Sequence, residues 1–351
     1  MTFRIMIHNA TGNLLQTDVE ALVNTVNCDG FMGKGIALQF KQAWPENFDA
    51  YAKACRAKEV RPGHMLVWES GRMVNPRYII NFPTKRHWRE KSRLEDIRNG
   101  LRALVVDIRR LGIRSIAVPP LGCGNGGLDW QDVRPLIESA FAELPDTQVH
   151  LFGPLGAPEA KTMPVNTKRP EMTISRALFV KVMHQYESLS YRLTLLEIQK
   201  LMYFLQEAGE PLRLRFEAGT YGPYAANLNK VLERIEGHLI RGYGDSQKPD
   251  TEIELLPDAA KEADLYLSQH PLPIVRVNRV SNLIQGFETP YGMELLSSVH
   301  WVCTHSKPKA TTPEAAIESV HGWNERKQKM FRSDHIRVAY QRLRELAWIA
   351  K

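Results

Sequence analysis

The 351-residue chain has only four cysteines, at positions 28, 55, 123 and 303, and none forms a CxxC pair. A disulfide scaffold or a zinc module needs closer and more regular spacing, so both are excluded, and the usage fits a reducing cytosol. No apolar run approaches the roughly 18 residues of a spanning helix. The start, MTFRIMIHNATGN, has no apolar stretch of signal-peptide length before Asn9. The expectation is a cytoplasmic protein with no membrane partner. Metal-ligand spacing such as HExxH is also missing, so no metal is assigned and no cofactor is expected. Nor is there a one-sided charge. The 46 Lys+Arg against 39 Asp+Glu leave a formal +7, which permits a polyanionic partner without demanding one.

What is present has the composition of a globular protein, and its length suggests two domains at roughly 100–200 residues each. The first 155 residues alternate strand-like and helix-like segments. Strands are expected at Phe3–His8, Ala21–Val26, Leu66–Trp68, Tyr78–Phe82, Ile113–Pro119 and Val149–Phe152. Leu94, Ile97, Leu101, Leu104, Ile108 and Leu111 make one apolar stripe at helical spacing. Ser92 with Glu95 reads as a capping box for that helix, and Gly112 as its stop. A second helix is expected over Trp130–Leu144, and a further one from about Ile36. Such alternation predicts a three-layer α/β domain with a mixed or parallel sheet.

Prolines at 154, 158, 164 and 170 then interrupt the aperiodic stretch GPLGAPEAKTMPVNTKRPE. This assigns residues 1–155 to one domain, 156–172 to a linker and 173–351 to a second, mostly helical domain with a few short strands. Thr194 and Glu197 form a capping box opening LTLLEIQKLMYFLQEAG, which stops at Gly209. Helices are also expected at Tyr224–Glu236, Pro257–Gln269, Met293–Thr304 and Ser333–Ala350, with short strands at Leu212–Glu217 and Thr251–Leu255. His300, Cys303 and His305 on one helix read as packing residues. Tyr221-Gly222-Pro223-Tyr224 reads as a turn whose aromatics suit either an interface or a core.

Two glycine loops stand out. The first follows a strand and opens a helix: VNTVNCDGFMGKGIALQF, residues 23–40. The second, VPPLGCGNGGLDW, residues 118–130, has the same context. Glycines let backbone N–H groups approach a phosphate, and a helix N-terminus adds positive partial charge. Loops at the carboxyl ends of two strands are where an open α/β sheet places its ligand. A diphosphate held between both is one reading; two tight turns is the other. Neither loop fits the Walker or dinucleotide fingerprint.

Residues 12–27, GNLLQTDVEALVNTVN, resemble the macrodomain opening G-D-I-x-x-x-x-V-D-A-I-V-N-A-A-N without a gap. NCDGFMGKGIA and PPLGCGNGG resemble the two ADP-ribose loops of that family, and Lys85 in INFPTKRHW resembles its catalytic lysine. Together with a C-terminal domain, these segments look most like the macrodomains that serve as antitoxins to a DNA ADP-ribosyltransferase toxin. The resemblance implies that Asn13, Asn27, Gly33, Lys34, Gly35, Ile36, Leu121, Gly122, Cys123, Gly124 and Asn125 bind ADP-ribose. It implies catalysis by Lys85, with ADP-ribosylated single-stranded DNA as substrate and thymine as the modified base. It also implies that residues 173–351 bind and block the cognate toxin.

Two positions depart from the family pattern. Asn13 replaces the adenine-reading Asp, so any hydrogen bond from the adenine amine lacks charge assistance. Gly126 stands where related lysine-dependent members carry an Asp, and Asp129 nearby instead reads as a helix cap. Lys85 can stabilise charge, or attack C1″ as a neutral amine if burial and neighbouring Arg86 and Arg89 depress its pKa. A plain phosphate contact is the alternative.

Lys85, Arg86, Arg89, Lys91 and Arg93 face one acid, Glu90, with His87 and Trp88 interleaved. Arg86, Trp88 and Arg89 are candidate contacts to a DNA strand, since cations track phosphates and a ring stacks a base. A solvated loop with a packed Trp remains the alternative. Cys28 and Cys123 read as small loop residues rather than nucleophiles. The competing functions are a non-hydrolytic ADP-ribose-binding module, an antitoxin acting only through protein interaction, and an enzyme acting on ADP-ribose 1″-phosphate.

Overall fold

The computed structural model describes residues 7–154, 163–187, 193–244, 248–270 and 273–350. Residues 3–6 of the first expected strand and 155–162 of the expected linker lie outside these. The chain divides into two compact units between Lys168 and Arg169.

The first unit contains strands β1 (Ile7–Ala10), β2 (Ala21–Val26), β3 (Leu66–Glu69), β4 (Tyr78–Pro83), β5 (Ser115–Val118) and β6 (Gln148–Phe152). Its helices are α1 (Gly35–Ala43), α2 (Pro45–Arg56), α3 (Leu94–Leu111) and α4 (Trp130–Phe141). The sheet order is β1-β6-β5-β2-β4-β3. Only the edge strand β3 runs antiparallel, against β4, so the sheet is mixed.

Alternation along β2 explains the three layers. Ala21 and Val23 face a core shared with Ile97, Leu101, Leu104 and Ile108 of α3 and Val133 and Ile137 of α4. Leu22 faces the opposite core with Phe40 and Ala43 of α1. Adjacent strand residues point to opposite faces, so each face takes its own helical layer. Gly100 lets α3 press onto the sheet, because a Cβ there would stand 2.2 Å from Cζ of Phe82.

Buried polar groups lock the central pairing. Asn24 of β2 lies opposite Asn81 of β4 in the parallel register, and its Nδ2 donates to Asn81 Oδ1 at 3.0 Å. Asn81 and Asn47 of α2 also exchange amide hydrogen bonds, at 2.7 and 3.3 Å. All three side chains are fully buried.

One expectation in this unit is corrected by the boundaries. Ser92 and Glu95 do not form a capping box: α3 starts at Leu94 with Arg93 at its N-cap and no side-chain cap. Ser92 is buried instead against the second glycine loop. Helix α2, which no expectation covered, follows α1 directly with Pro45 in its first turn. Residues of the expected linker also pack on the first unit, where Asn166 donates from its backbone to Gln42 O at 2.7 Å and from Nδ2 to Ala43 O at 2.7 Å. Gly112 ends α3 in the left-handed conformation, φ 64°, as expected.

The second unit is mostly helical among the described residues: α5 (Ile174–Glu187), α6 (Leu195–Glu207), α7 (Leu228–Ile235), α8 (Pro257–Ser268), α9 (Ile274–Ile284), α10 (Pro290–Thr304), α11 (Pro313–His321), α12 (Glu325–Met330) and α13 (Ser333–Glu345). Two short antiparallel pairs complete it, β7 (Phe216–Gly219) with β8 (Gly222–Ala225) and β9 (Ile240–Arg241) with β10 (Glu254–Leu255). The Thr194–Glu197 capping box is present. The expected helix from Tyr224 begins only at Leu228, because Tyr224 pairs with Glu217 in the hairpin.

His300 is a packing residue. Burial pushes its imidazole down to about 3, so it is neutral. Its Nδ1 then accepts from Tyr203 Oη at 2.7 Å while Nε2–H donates to Trp348 O at 3.2 Å. Glu294 is buried too, with Lys327 Nζ at 2.7 Å and Arg326 Nη1 at 2.6 Å. Among the described residues no helix is long and apolar enough to cross a membrane.

Asn81→Ala should destabilise the first unit by about 2–4 kcal/mol, since it orphans buried amide groups of both Asn24 and Asn47. Urea unfolding followed by intrinsic fluorescence checks this; a midpoint equal to that of the unsubstituted chain would contradict it.

Candidate functional site

Strands β5, β2 and β4 are consecutive and parallel, so the loops that follow them leave the sheet on one edge. Those loops carry residues 27–35, 84–93 and 119–129. The sites read from sequence at Asn27, Lys34, Lys85 and Asn125 therefore emerge at one edge because of topology alone.

Contacts join the three loops. Lys85 Nζ donates to the backbone carbonyl of Asn125. Cys28 Sγ donates to Lys85 O at 3.3 Å, and Thr84 N to Val26 O at 2.9 Å. A Cβ on Gly35 would come within 3.0 Å of Asn125 Nδ2. Lys34, Gly35, Lys85 and Asn125 thus line one mouth. Lys34 is the N-cap of α1 and offers no side-chain cap to its first turn. The first amides of that helix remain available for an anion.

The second loop is a tight coil. Leu128 N donates to Gly122 O at 3.1 Å, Gly127 N to Gly124 O at 3.0 Å, and Ser92 N to Gly126 O at 3.0 Å. Gly126 admits no side chain at all: a Cβ there would stand 2.2 Å from Gly122 O and 2.3 Å from Ser92 Oγ. A carboxylate side chain at this place, as the family resemblance leads one to expect, has no room here. Asp129 does not substitute for it, because its Oδ1 caps α4 through Gln131 N at 2.8 Å.

Lys85 is half-buried. Its pKa is lowered, first by burial and then by the ammonium of Lys34. Burial was among the expected causes and comes first; the neighbouring charge is Lys34 in place of the expected Arg86 and Arg89. Arg86 is bound to buried Asp96 of α3 through Nη2 at 2.9 Å and Nε at 3.1 Å. That pairing holds the guanidinium to α3 while its side chain stays 52% exposed.

The remaining residues divide clearly. Asn27 is a loop staple. Its Nδ2 donates to Phe31 O at 2.6 Å and its Oδ1 accepts from Asp29 N at 2.9 Å and from Tyr51 Oη at 3.1 Å. Burial pushes the Tyr51 phenol well up, so it remains a donor. Asn13 caps the 3-10 turn Leu14–Gln16, accepting from Leu15 N at 3.0 Å. Leu121 is fully buried in the core beneath α3, so only its backbone can face a ligand. Gly33 lies in the first loop, Ile36 in the first turn of α1, and Gly122, Cys123 and Gly124 in the second loop. Burial pushes the Cys28 thiol up to about 12 and that of Cys123 to about 11, and neither is poised as a thiolate.

Trp88 is 41% exposed and Phe31 58%. The guanidinium of Arg89 lies 4.5 Å from the Trp88 ring centre, and Trp88 N donates to Asp29 Oδ2 at 2.7 Å. Sequence reasoning passed over Lys34 as the charge neighbour of Lys85, and Phe31, Asp29 and Tyr51 as loop partners. Parallel β2–β4 pairing is the signal that would have linked the first two. A concavity of about 300 Å³ lined by Leu15, Thr17, Trp44, Arg72 and Asn75, among others, contains none of these site residues. Among the described residues no group of three or more His, Cys, Asp or Glu side chains could hold a metal.

Residues 23–137 match the Macro domain family. A protein of Thermus aquaticus named DNA ADP-ribosyl glycohydrolase is 46% identical over 340 residues, 96% of this chain and 93% of that one. A Thermosipho africanus protein, named a DNA ADP-ribosyl transferase–DNA ADP-ribosyl glycohydrolase fusion, is 33% identical over 159 residues, 41% of each chain. Among solved structures, the macrodomain of Mycobacterium tuberculosis DarG is 56% identical, covers 42% of this chain and 98% of its own, and has a TM-score of 0.42.

Replacing Lys34 by Met should raise the pKa of Lys85, because a like charge that disfavours its ammonium is removed. NMR titration of the lysine side chains tests this; an unmoved or lowered Lys85 midpoint would refute the coupling.

Proposed function

The chain belongs to the family of DNA ADP-ribosyl glycohydrolases, and we propose that it hydrolyses ADP-ribose from thymine bases of single-stranded DNA at the mouth between β2, β4 and β5. The observation that carries this reading is the meeting of Lys34, Lys85 and the two glycine loops at one sheet edge. In it, the uncapped start of α1 and the coil at residues 122–127 take the pyrophosphate, as donors aimed at an anion do. Asn13 meets the adenine end, and Asn27 acts on the sugar side mainly by fixing the first loop.

At the reacting end, the bond between C1″ and the thymine nitrogen breaks. Thymine leaves with the electron pair and takes up a proton, and water supplies the hydroxyl at C1″. Lys85 serves either as the cation that stabilises departing charge or as the amine that attacks C1″ before water releases it. The depressed pKa supports the amine route, since it increases the fraction of Lys85 that is neutral below the ordinary lysine range. A two-residue Lys–Asp scheme is not part of the proposal, because Gly126 has no room for a carboxylate. That same observation motivates the second reading, a module that binds ADP-ribose without cleaving it.

Residues 173–351 are proposed to bind and neutralise the cognate DNA ADP-ribosyltransferase. The support is the resemblance of the two-domain arrangement, together with a relative whose name joins the two opposed activities in one chain.

Lys85→Ala should release ADP-ribose from a modified single-stranded oligonucleotide roughly a hundredfold or more slowly than the unsubstituted chain. Equal release would remove Lys85 from the mechanism, and no release by either protein would sink the glycohydrolase reading in favour of the binding module. The same full-length variant should still capture and inhibit the transferase in pull-down and modification assays. Loss of capture on changing Lys85 alone would contradict a toxin-binding role for residues 173–351.

A further inference from the structure

Phe31 stands on the first glycine loop between Asn27 and Lys34, 58% exposed, and belongs to none of the core clusters. One exposed ring is ordinary; Phe31 is set apart because a second exposed ring, Trp88, stands against it beside the polar mouth. It is also fixed in place. Asn27 Nδ2 donates to Phe31 O at 2.6 Å, and Tyr51 Oη anchors Asn27 from beneath through its carbonyl at 2.7 Å.

Trp88 braces Phe31 from the loop after β4. The ring centres are 6.3 Å apart and the planes cross at 67°. Asp29, two residues before Phe31, accepts the backbone N–H of Trp88 at 2.7 Å, and its carboxylate lies 3.9 Å from His87 Nε2. His87 and Arg89 occupy the surroundings of the Trp88 ring, at 5.9 and 4.5 Å between centres. Phe31 is therefore the more open ring of the pair, and Trp88 its support. Trp88 is three residues from Lys85, and Phe31 three from Lys34.

We propose that Phe31, buttressed by Trp88, stacks on the unmodified base next to the ADP-ribosylated nucleotide, and so selects single-stranded DNA over shorter substrates. This deepens the glycohydrolase reading and rests on it. The chemistry follows from the parts present. A base offers a neutral aromatic face, which stacks on a rigid ring whatever the sequence. A base already stacked in a duplex is not free to do so, whereas a strand end or a single strand is. Arg89, already beside the Trp88 ring, supplies a cation for the adjoining phosphate. Phe31 thereby acquires a specificity role that neither the loop glycines nor Lys85 perform, since both address the ADP-ribose.

The test compares Phe31→Ala and Phe31→Trp in the full chain on two substrates, ADP-ribosylated thymidine and the same nucleotide within a short single strand. Phe31→Ala should lower kcat/KM on the oligonucleotide about tenfold, the scale of one lost base–ring stack. It should leave the nucleoside unchanged, and Phe31→Trp should retain the wild-type preference. Equal losses on both substrates, or none on the oligonucleotide, overturn the proposal. Fluorescence anisotropy of a labelled, unmodified single strand, beside calorimetry with free ADP-ribose, reads the platform without requiring cleavage. Weaker strand binding by Phe31→Ala at unchanged ADP-ribose affinity supports the proposal even where the wild-type chain cleaves nothing and the glycohydrolase reading falls. Unchanged strand binding overturns it.

Discussion

The parallel pairing of β2 with β4 is the constraint on which the rest depends. Six residues of each strand align, from Ala21 with Tyr78 to Val26 with Pro83. Asn27 follows β2 directly, and Lys85 follows β4 after one residue, Thr84. A slip of two positions would preserve the apolar faces yet carry Lys85 about 7 Å along the strand, away from the second loop. Hydrophobic pattern alone does not penalise that slip. The Asn24–Asn81 pair does, because it would leave buried amides unmatched. Buried polar groups here specify an alignment more than they add stability.

The electrostatics of the mouth follow from the same placement. Two lysines from neighbouring loops converge, and other charged groups nearby are engaged elsewhere: Arg86 in an ion pair with Asp96, Asp129 in capping α4 through Gln131 N. The result is a small cationic spot made by Lys34 and Lys85 and not by the whole basic strip. A diphosphate entering it would meet two charges and a set of backbone donors. It would also reverse the influence that Lys34 exerts, since a bound anion offsets the repulsion that depresses the Lys85 pKa. The chemistry at C1″ is therefore coupled to how the pyrophosphate is held.

Much of this was legible in the residues. Strand β2 was bounded correctly by its apolar run, α3 by its stripe and Gly112, and α6 by its capping box. Failures came where local pattern competed with tertiary contacts. Ser92-x-x-Glu95 has the letters of a capping box, but packing against Gly126 removes Ser92 from the helix start. Tyr224 fits a helical period, yet the hairpin with Glu217 claims it. Helix α2 was not expected, although Pro45 at its start is well suited to a first turn. In the site, glycine spacing and Lys85 could be read directly. That Arg86 is spent on Asp96, ten positions away, and that Lys34 faces Lys85 across two loops, are facts of three-dimensional proximity that no spacing rule encodes.

The staple on Asn27 has a thermodynamic consequence. Its amide is engaged at both ends, and the phenol beneath it is buried and protonated, so the first loop is ordered before any ligand arrives. Ordering a loop on binding costs conformational entropy that subtracts from affinity. Here that cost has been met during folding, by the same core that holds Tyr51. On the proposed reading the mouth is a preorganised receptor, in which binding enthalpy from a pyrophosphate would be spent little on shaping the protein and would be left for orienting the glycosidic bond.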